Sequence, residues 1–166
     1  KNYTAEELLK LIEENIDVLD ETALLRAATL VKKNEQKIDL YKKAAEKFAS
    51  NAAQYNMAVT YIKMDELNKA KNALESVEKD ADWNNAMGVI ALREDNLDEA
   101  SKYFAAAGNE TAKENAAVIS ILKGDYQAAA AALANAKGFN AALAQLLVGN
   151  NAPAAALECN SPKAAY

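Results

Sequence analysis

The feature that most constrains the fold is a pair of small residues, twelve positions apart, that recurs four times. The pairs are Ala58 with Ala70, Gly88 with Ala100, Ala117 with Ala129, and Ala142 with Ala154. Two antiparallel helices joined by a tight turn approach closely only where their side chains are minimal. The spacing therefore predicts successive helical hairpins, each with a helix A and a helix B that touch at the small pair.

The sequence around these pairs repeats as well. Residues 54–74, 84–104 and 113–133 align without gaps, and Leu74, Phe104 and Leu133 follow the second small residue by one turn. Asp, Asn or Gly stands between the two halves of each copy, in KMDE, REDN, KGDY and VGNN, where a chain reverses. The second small residues are 30, 29 and 25 positions apart, so the repeats become shorter along the chain.

Composition favours an all-α fold. The 166 residues include only five Gly and two Pro, and no segment alternates with a period of two. Amphipathic helices are predicted over 4–15, 20–34 and 35–50, the first opened by a capping box of Thr4 and Glu7. We expect residues 1–50 to form a degenerate or capping repeat, and residues 51–166 to form the hairpin repeats, with the last one truncated.

The repeats resemble the tetratricopeptide repeat (TPR) family. The resemblance is carried by Tyr55-Asn56-Met57-Ala58 with Tyr61, by Lys123-Gly124-Asp125-Tyr126 before Ala129, and by Ala70 with Leu74, Ala100 with Phe104 and Ala129 with Leu133. The period is shorter than the ~34 residues usual in that family, so the repeats look degenerate and shortened. The resemblance implies a right-handed superhelix (solenoid) of antiparallel hairpins, whose concave groove, lined by helices A, binds a protein or peptide.

The same resemblance implies which residues face the groove. The positions are Tyr55, Val59, Ile62, Asn85, Val89, Leu92, Glu114, Val118, Ile121, Phe139, Leu143 and Leu146. Packing between neighbouring repeats explains the aliphatic members equally well. The favoured contact residues are therefore Tyr55, Asn85, Glu114 and Phe139, with Lys63 and Arg93 at the rim.

The sequence carries no recognisable catalytic or cofactor site. It has no histidine, which removes the commonest general base and metal ligand, and its one cysteine, Cys159, has no activating partner nearby in sequence. The net charge is −5, without the basic stripe that binds nucleic acid. No apolar run approaches the ~20 residues that cross a bilayer. We predict no enzyme activity, cofactor, metal, small-molecule substrate, nucleic-acid partner or transmembrane segment.

The sequence thus predicts a non-catalytic protein-interaction scaffold, one domain of a larger protein. Two alternatives stay open: a structural spacer or assembly domain of a multidomain cell-envelope protein, and a regulatory segment of an enzyme. The Ala-, Asn- and Lys-rich repeats suit a bacterial protein, and a periplasmic or cell-envelope location is favoured over the cytoplasm.

Two apolar features of the last repeats raise further expectations. The final hairpin has few charged residues, and its apolar residues are Leu143, Leu146, Leu147, Val148 and Leu157. A terminal repeat normally has a polar cap instead. We expect this end to be buried by self-association or by the tail folding back. The run Ala128–Ala132 has two interpretations: alanine as the best helix former, or a helix packed on several sides.

Overall fold

A computed structural model describes residues 4–150, and these form ten α-helices and no β-strand. The predicted all-α class is therefore confirmed for this part of the chain. The helices are α1 (Ala5–Glu14), α2 (Glu21–Leu30), α3 (Asn34–Phe48), α4 (Asn51–Lys63), α5 (Leu67–Leu74), α6 (Ala81–Arg93), α7 (Leu97–Ala107), α8 (Glu110–Leu122), α9 (Tyr126–Ala132) and α10 (Phe139–Leu147).

The chain divides into two compact units. Unit 1 is Lys1–Lys79, with α1 to α5, and unit 2 is Asp80–Tyr166, with α6 to α10. This division falls later than the boundary expected after residue 50. Because α3 packs against α4, the N-terminal helices and the first predicted repeat share unit 1.

Side-chain caps start helices A at regular intervals. Asp20, Ser50, Asp80 and Asn109 precede α2, α4, α6 and α8, and each side chain accepts a hydrogen bond from the backbone N–H three residues later. The caps are 30, 30 and 29 residues apart. The hairpin register therefore extends upstream to α2 and α3, within the segment that was expected to be degenerate.

The predicted boundaries at the start of the chain are partly right. The capping box is present, with the Thr4 N–H donating to Glu7 Oε2 at 2.9 Å and the Glu7 N–H donating to Thr4 Oγ1 at 3.2 Å. The second helix was predicted to reach residue 34, which is wrong. It ends at Leu30, because Val31 has an extended backbone with ψ 144° and a buried side chain.

The four turns from helix A to helix B share one backbone geometry. Asp65, Asp95, Gly124 and Gly149 all have positive φ, at 62°, 60°, 78° and 88°. The N–H of the next residue returns each time to the carbonyl five positions earlier, as from Asn96 to Ala91 at 2.9 Å. This is the left-handed closure typical of a helix C-terminus. The last turn comes early, because α10 has nine residues where α4, α6 and α8 each have thirteen.

The small residues that were predicted to lie where helix A meets helix B are buried, wherever the structure describes them. Each helix A packs against its helix B: α4 against α5, α6 against α7, and α8 against α9. The buried members are Ala58, Ala70, Gly88, Ala100, Ala117, Ala129 and Ala142. Ala154 lies outside the described residues.

Candidate functional site

Three helices A of unit 2 lie side by side. Helix α6 contacts α8, and α8 contacts α10, while α7 packs against both α6 and α8, and α9 against both α8 and α10. The helices B therefore occupy one side of this row. We call the opposite surface of α6, α8 and α10 the A-helix face.

A hydrogen bond between two side-chain amides joins α6 to α8. Asn115 Nδ2 donates to Asn85 Oδ1 at 2.9 Å, and both residues are half-buried. Asn85 was predicted as a contact residue, but Asn115 was not. A bond of this kind depends on how two helices are rotated against each other, and sequence spacing alone carries no signal for it.

The predicted contact residue Glu114 is exposed, and it directly precedes Asn115 in the sequence of α8. The neighbouring Lys113 bonds to Glu110, with Nζ 2.6 Å from Oε1. Within residues 4–150, the Glu114 side chain forms no hydrogen bond or ion pair. Its carboxylate is therefore available to a cation from outside the described part of the chain.

The other predicted contact residues are spread over both units. Phe139, half-buried, is the first residue of α10, and Arg93, exposed, is the last residue of α6. In unit 1, Tyr55 is half-buried on α4, and Lys63 is exposed at its end. The structure therefore brings Asn85, Glu114 and Phe139 onto neighbouring helices A of unit 2.

Several aliphatic residues proposed for the groove have packing roles instead. Val89 and Leu92 pack against the core cluster around Phe104, and Ile121 packs against the cluster around Leu133. For these three the packing interpretation is favoured. Ile62 is only 7% exposed, so the packing interpretation is favoured for it as well.

The apolar end of unit 2 remains open to solvent in the described residues. Leu122 is 61% exposed at the end of α8, and Leu146 and Leu147 are 45% and 39% exposed at the end of α10. Self-association through this end stays a prediction, and Leu157 lies outside the described residues.

The alanine run on α9 is only partly buried. Ala129 and Ala130 are buried, whereas Ala128, Ala131 and Ala132 are exposed. For the three exposed members, the structure favours alanine's role as a helix former over packing on several sides.

Unit 1 also has two clefts. One of about 510 Å³ lies between α1 and α3, with Leu9 and Leu40 beside charged residues of both signs. Another of about 310 Å³ lies between α4 and α5, where the Lys69 ammonium sits 5.9 Å from the centre of the Tyr61 ring.

Within residues 4–150, no cluster of three or more acidic, cysteine or histidine side chains could hold a metal ion. Nor is any helix there long and apolar enough for a membrane crossing.

Similarity to known proteins appears at the level of structure. No protein-family model matches the sequence, and no curated protein matches it. One similar crystal structure is YrrB, a TPR protein with an unusual peptide-binding site, with a TM-score of 0.54 and 21% identity over 91% of this chain and 88% of that one. Another is a chain of the APC/C hetero-tetramer Cut9-Hcn1, with a TM-score of 0.75 and 18% identity over 97% of this chain.

These likenesses concern the fold. This chain spans 38% of the length of the matched chain in the Cut9-Hcn1 assembly. Together with the hairpin geometry, they confirm the predicted fold class, an all-α solenoid of TPR-like antiparallel hairpins.

Proposed function

We propose that this chain is a non-catalytic protein-interaction scaffold, which binds a peptide or an extended protein segment on the A-helix face of unit 2. The observation that carries the proposal is the half-buried amide pair of Asn85 and Asn115, which joins two helices A, together with the exposed Glu114 on the second of these helices. Polar groups presented on adjacent rigid helices suit a binding surface, because the helices fix the positions of those groups.

Two further observations support the proposal. Phe139 on α10 adds a half-buried aromatic ring to the same row of helices, and aromatic side chains are enriched among residues that dominate binding energy. YrrB, which has a similar fold, is a TPR protein with a peptide-binding site. Tyr55 and Lys63 on α4 are proposed as a separate contact region of unit 1.

Selection from a random peptide library displayed on phage, with the chain immobilised, tests this function. We expect enriched peptides to bind with dissociation constants of about 1–100 μM. The triple variant Asn85→Ala, Glu114→Ala, Phe139→Ala should bind them at least about tenfold more weakly, because it removes an amide, a charge and a ring from one face.

Matched changes on the helices B serve as the control. Lys102→Ala on α7 and Gln127→Ala on α9 alter exposed residues behind the A-helix face, and the enriched peptides should bind this variant as they bind the wild type. Thermal unfolding of all proteins checks that they are folded. If no peptide is enriched, the spacer or regulatory interpretation replaces the scaffold. If the triple variant binds normally, the binding surface lies elsewhere.

A further inference from the structure

We propose that α1 is part of a detachable strap over unit 1, and that the ammonium group of Lys47 on α3 holds this strap closed. The strap consists of α1 and the turn 15–19 that follows it. When the strap opens, α1 unfolds locally while α2 to α5 stay folded. The proposal concerns unit 1 and does not depend on the proposed function, which lies on unit 2.

The Lys47 ammonium binds three backbone carbonyls of the turn after α1. Its Nζ lies 2.8 Å from the carbonyl oxygens of Ile16 and Asp17, and 3.1 Å from that of Leu19. A lysine ammonium has three N–H donors, so this cradle can use all of them. The backbone hydrogen bonds inside the turn end on the carbonyl of Asn15, and the three cradle carbonyls therefore rely on the lysine for a partner.

The end of α1 lacks a cation of its own. Its last turn contains Glu13 and Glu14 and no basic residue. The C-terminus of a helix carries partial negative charge, so these carboxylates destabilise it and a cation stabilises it. Lys10 lies 3.8 Å from Glu14 in an exposed ion pair, which contributes little. The cation at this end is therefore Lys47, which comes from a helix later in the chain.

The side chains of α1 hold it only loosely on unit 1. Among residues 6–14, Ile12 alone is buried, in one cluster with Leu40, while Leu8 and Leu9 are half-buried against that cluster. The cleft of about 510 Å³ between α1 and α3 shows that these two helices pack incompletely. Because α1 has only ten residues, it is too short to stay helical in water once it leaves this surface.

The helix that carries Lys47 is anchored without the strap. Leu40, Tyr41 and Ala44 of α3 are buried, and α3 packs against both α2 and α4. Lys47 itself is exposed, with its ammonium also 5.1 Å from the centre of the Phe48 ring. The ammonium can therefore leave the carbonyls for water without disturbing the core, so α1 can open separately from the rest of unit 1.

Amide hydrogen exchange of the full chain, followed by mass spectrometry or NMR, tests the proposal. In the wild type, the amides of α1 should be protected, yet they should exchange at least about tenfold faster than those of α4, because local opening costs less than unfolding of the whole unit. Lys47→Met removes the ammonium and keeps a side chain of similar length. It should speed exchange in α1 about five- to thirtyfold, through loss of exposed charge-assisted hydrogen bonds, and leave α4 unchanged.

Two further variants serve as controls. Lys37→Met removes a lysine from the same helix but not from the cradle, and it should change exchange in α1 less than about twofold. Ile12→Ala removes the one buried side chain among residues 6–14. It should speed exchange in α1 at least about tenfold, again without affecting α4.

Three results would overturn the proposal. Unchanged exchange of α1 in Lys47→Met, or unprotected α1 amides in the wild type, would mean that the cradle does not hold the strap closed. An equal increase in α1 and α4, in either Lys47→Met or Ile12→Ala, would mean that α1 opens only when unit 1 unfolds. If Lys47→Met fails to fold, as judged by circular dichroism, the wild type decides, because equal protection of α1 and α4 excludes a detachable strap.

Discussion

Two neighbouring hairpins of unit 2, α6 with α7 and α8 with α9, fill the same space with different residues. In the first, Gly88 faces Phe104: a Cβ added to the glycine would lie 2.5 Å from Cε1 and 2.6 Å from Cδ1 of the ring. In the second, Ala117 and Leu133 occupy the equivalent positions, and both are buried. A missing methyl group is matched by a larger neighbour, so these repeats preserve the filled volume while the residues change.

The turns of the same two hairpins differ in a second way. Asp95 and Gly124 both adopt the left-handed conformation, with φ of 60° and 78°. Glycine adopts it without steric cost, whereas an aspartate Cβ crowds the following carbonyl. The first hairpin therefore carries local strain in its turn, whereas glycine keeps the turn of the second hairpin unstrained.

Among the variants that distinguish the two hairpins, Phe104→Ala should change the free energy of unfolding the most. The ring is only 2% exposed and packs over Gly88, so its loss leaves a cavity on a side where residue 88 has no side chain. We expect the free energy of unfolding to fall by about 3–5 kcal/mol, measured by urea denaturation with circular dichroism. A loss below about 1 kcal/mol would contradict a core role for Phe104.

The next largest effect tests whether a smaller residue at position 88 is compensated by a larger one at position 104. Gly88→Ala should cost about 1–3 kcal/mol through overpacking, although alanine is the better helix former. The double variant Gly88→Ala, Phe104→Leu reproduces the Ala117 and Leu133 arrangement. It should therefore be less destabilised than the sum of its single variants, as a double-mutant cycle of unfolding free energies would show. Simple additivity would mean that the two positions are independent.

A smaller effect is expected from exchanging the turn residues. Asp95→Gly should raise the free energy of unfolding by about 1 kcal/mol, because it removes the left-handed strain. Gly124→Asp should lower it by a similar amount. Thermal unfolding of the two variants measures both changes. If Asp95→Gly destabilises the protein instead, the aspartate side chain stabilises its turn by more than the left-handed backbone conformation costs.

The smallest effect concerns the ion pair that joins the two hairpins. Lys123 Nζ lies 2.8 Å from Asp98 Oδ1, and this hydrogen bond, followed by the charge of Lys123, lowers the pKa of Asp98. A lowered pKa in the folded state means that the pair stabilises the fold above the pKa of unfolded aspartate. That contribution is lost as the pH falls through the folded pKa.

Lys123→Gln should therefore raise the pKa of Asp98 towards its ordinary value, as measured by carbon NMR of the carboxyl group. Lys102→Gln is the matched comparison and should raise it less, because Lys102 acts only through its charge and is the weakest of the causes. An unchanged Asp98 pKa in Lys123→Gln would contradict the pairing.

The sequence was sufficient to predict the three described hairpins from α4 to α9, because close backbone approach restricts a position to glycine or alanine. The hairpin of α2 and α3 escaped this argument. There Ala28, Leu40 and Ala44 are buried in one core cluster, thirty residues before Ala58, Ala70 and Leu74, so the large and small residues have exchanged places. The cap residues Asp20 and Ser50 carry the regular spacing that could have revealed it.

The candidate site was less predictable than the fold. Position in the repeat was enough to select Asn85 and Glu114, both of which lie on helices A of unit 2. It could not identify Asn115, whose bond to Asn85 depends on the rotation of one helix against another. It also left the aliphatic positions open between groove and packing, and for Ile62 the burial of the side chain favours packing.

The regular caps have a consequence for how such a chain can change length. The stretches 50–79 and 80–108 each carry one helix cap, one left-handed turn and one pair of small residues. Tandem duplication or deletion of one such stretch would preserve the spacing between the cap residues of the hairpins that follow. Unequal recombination could therefore lengthen or shorten the chain one hairpin at a time, without any new junction sequence.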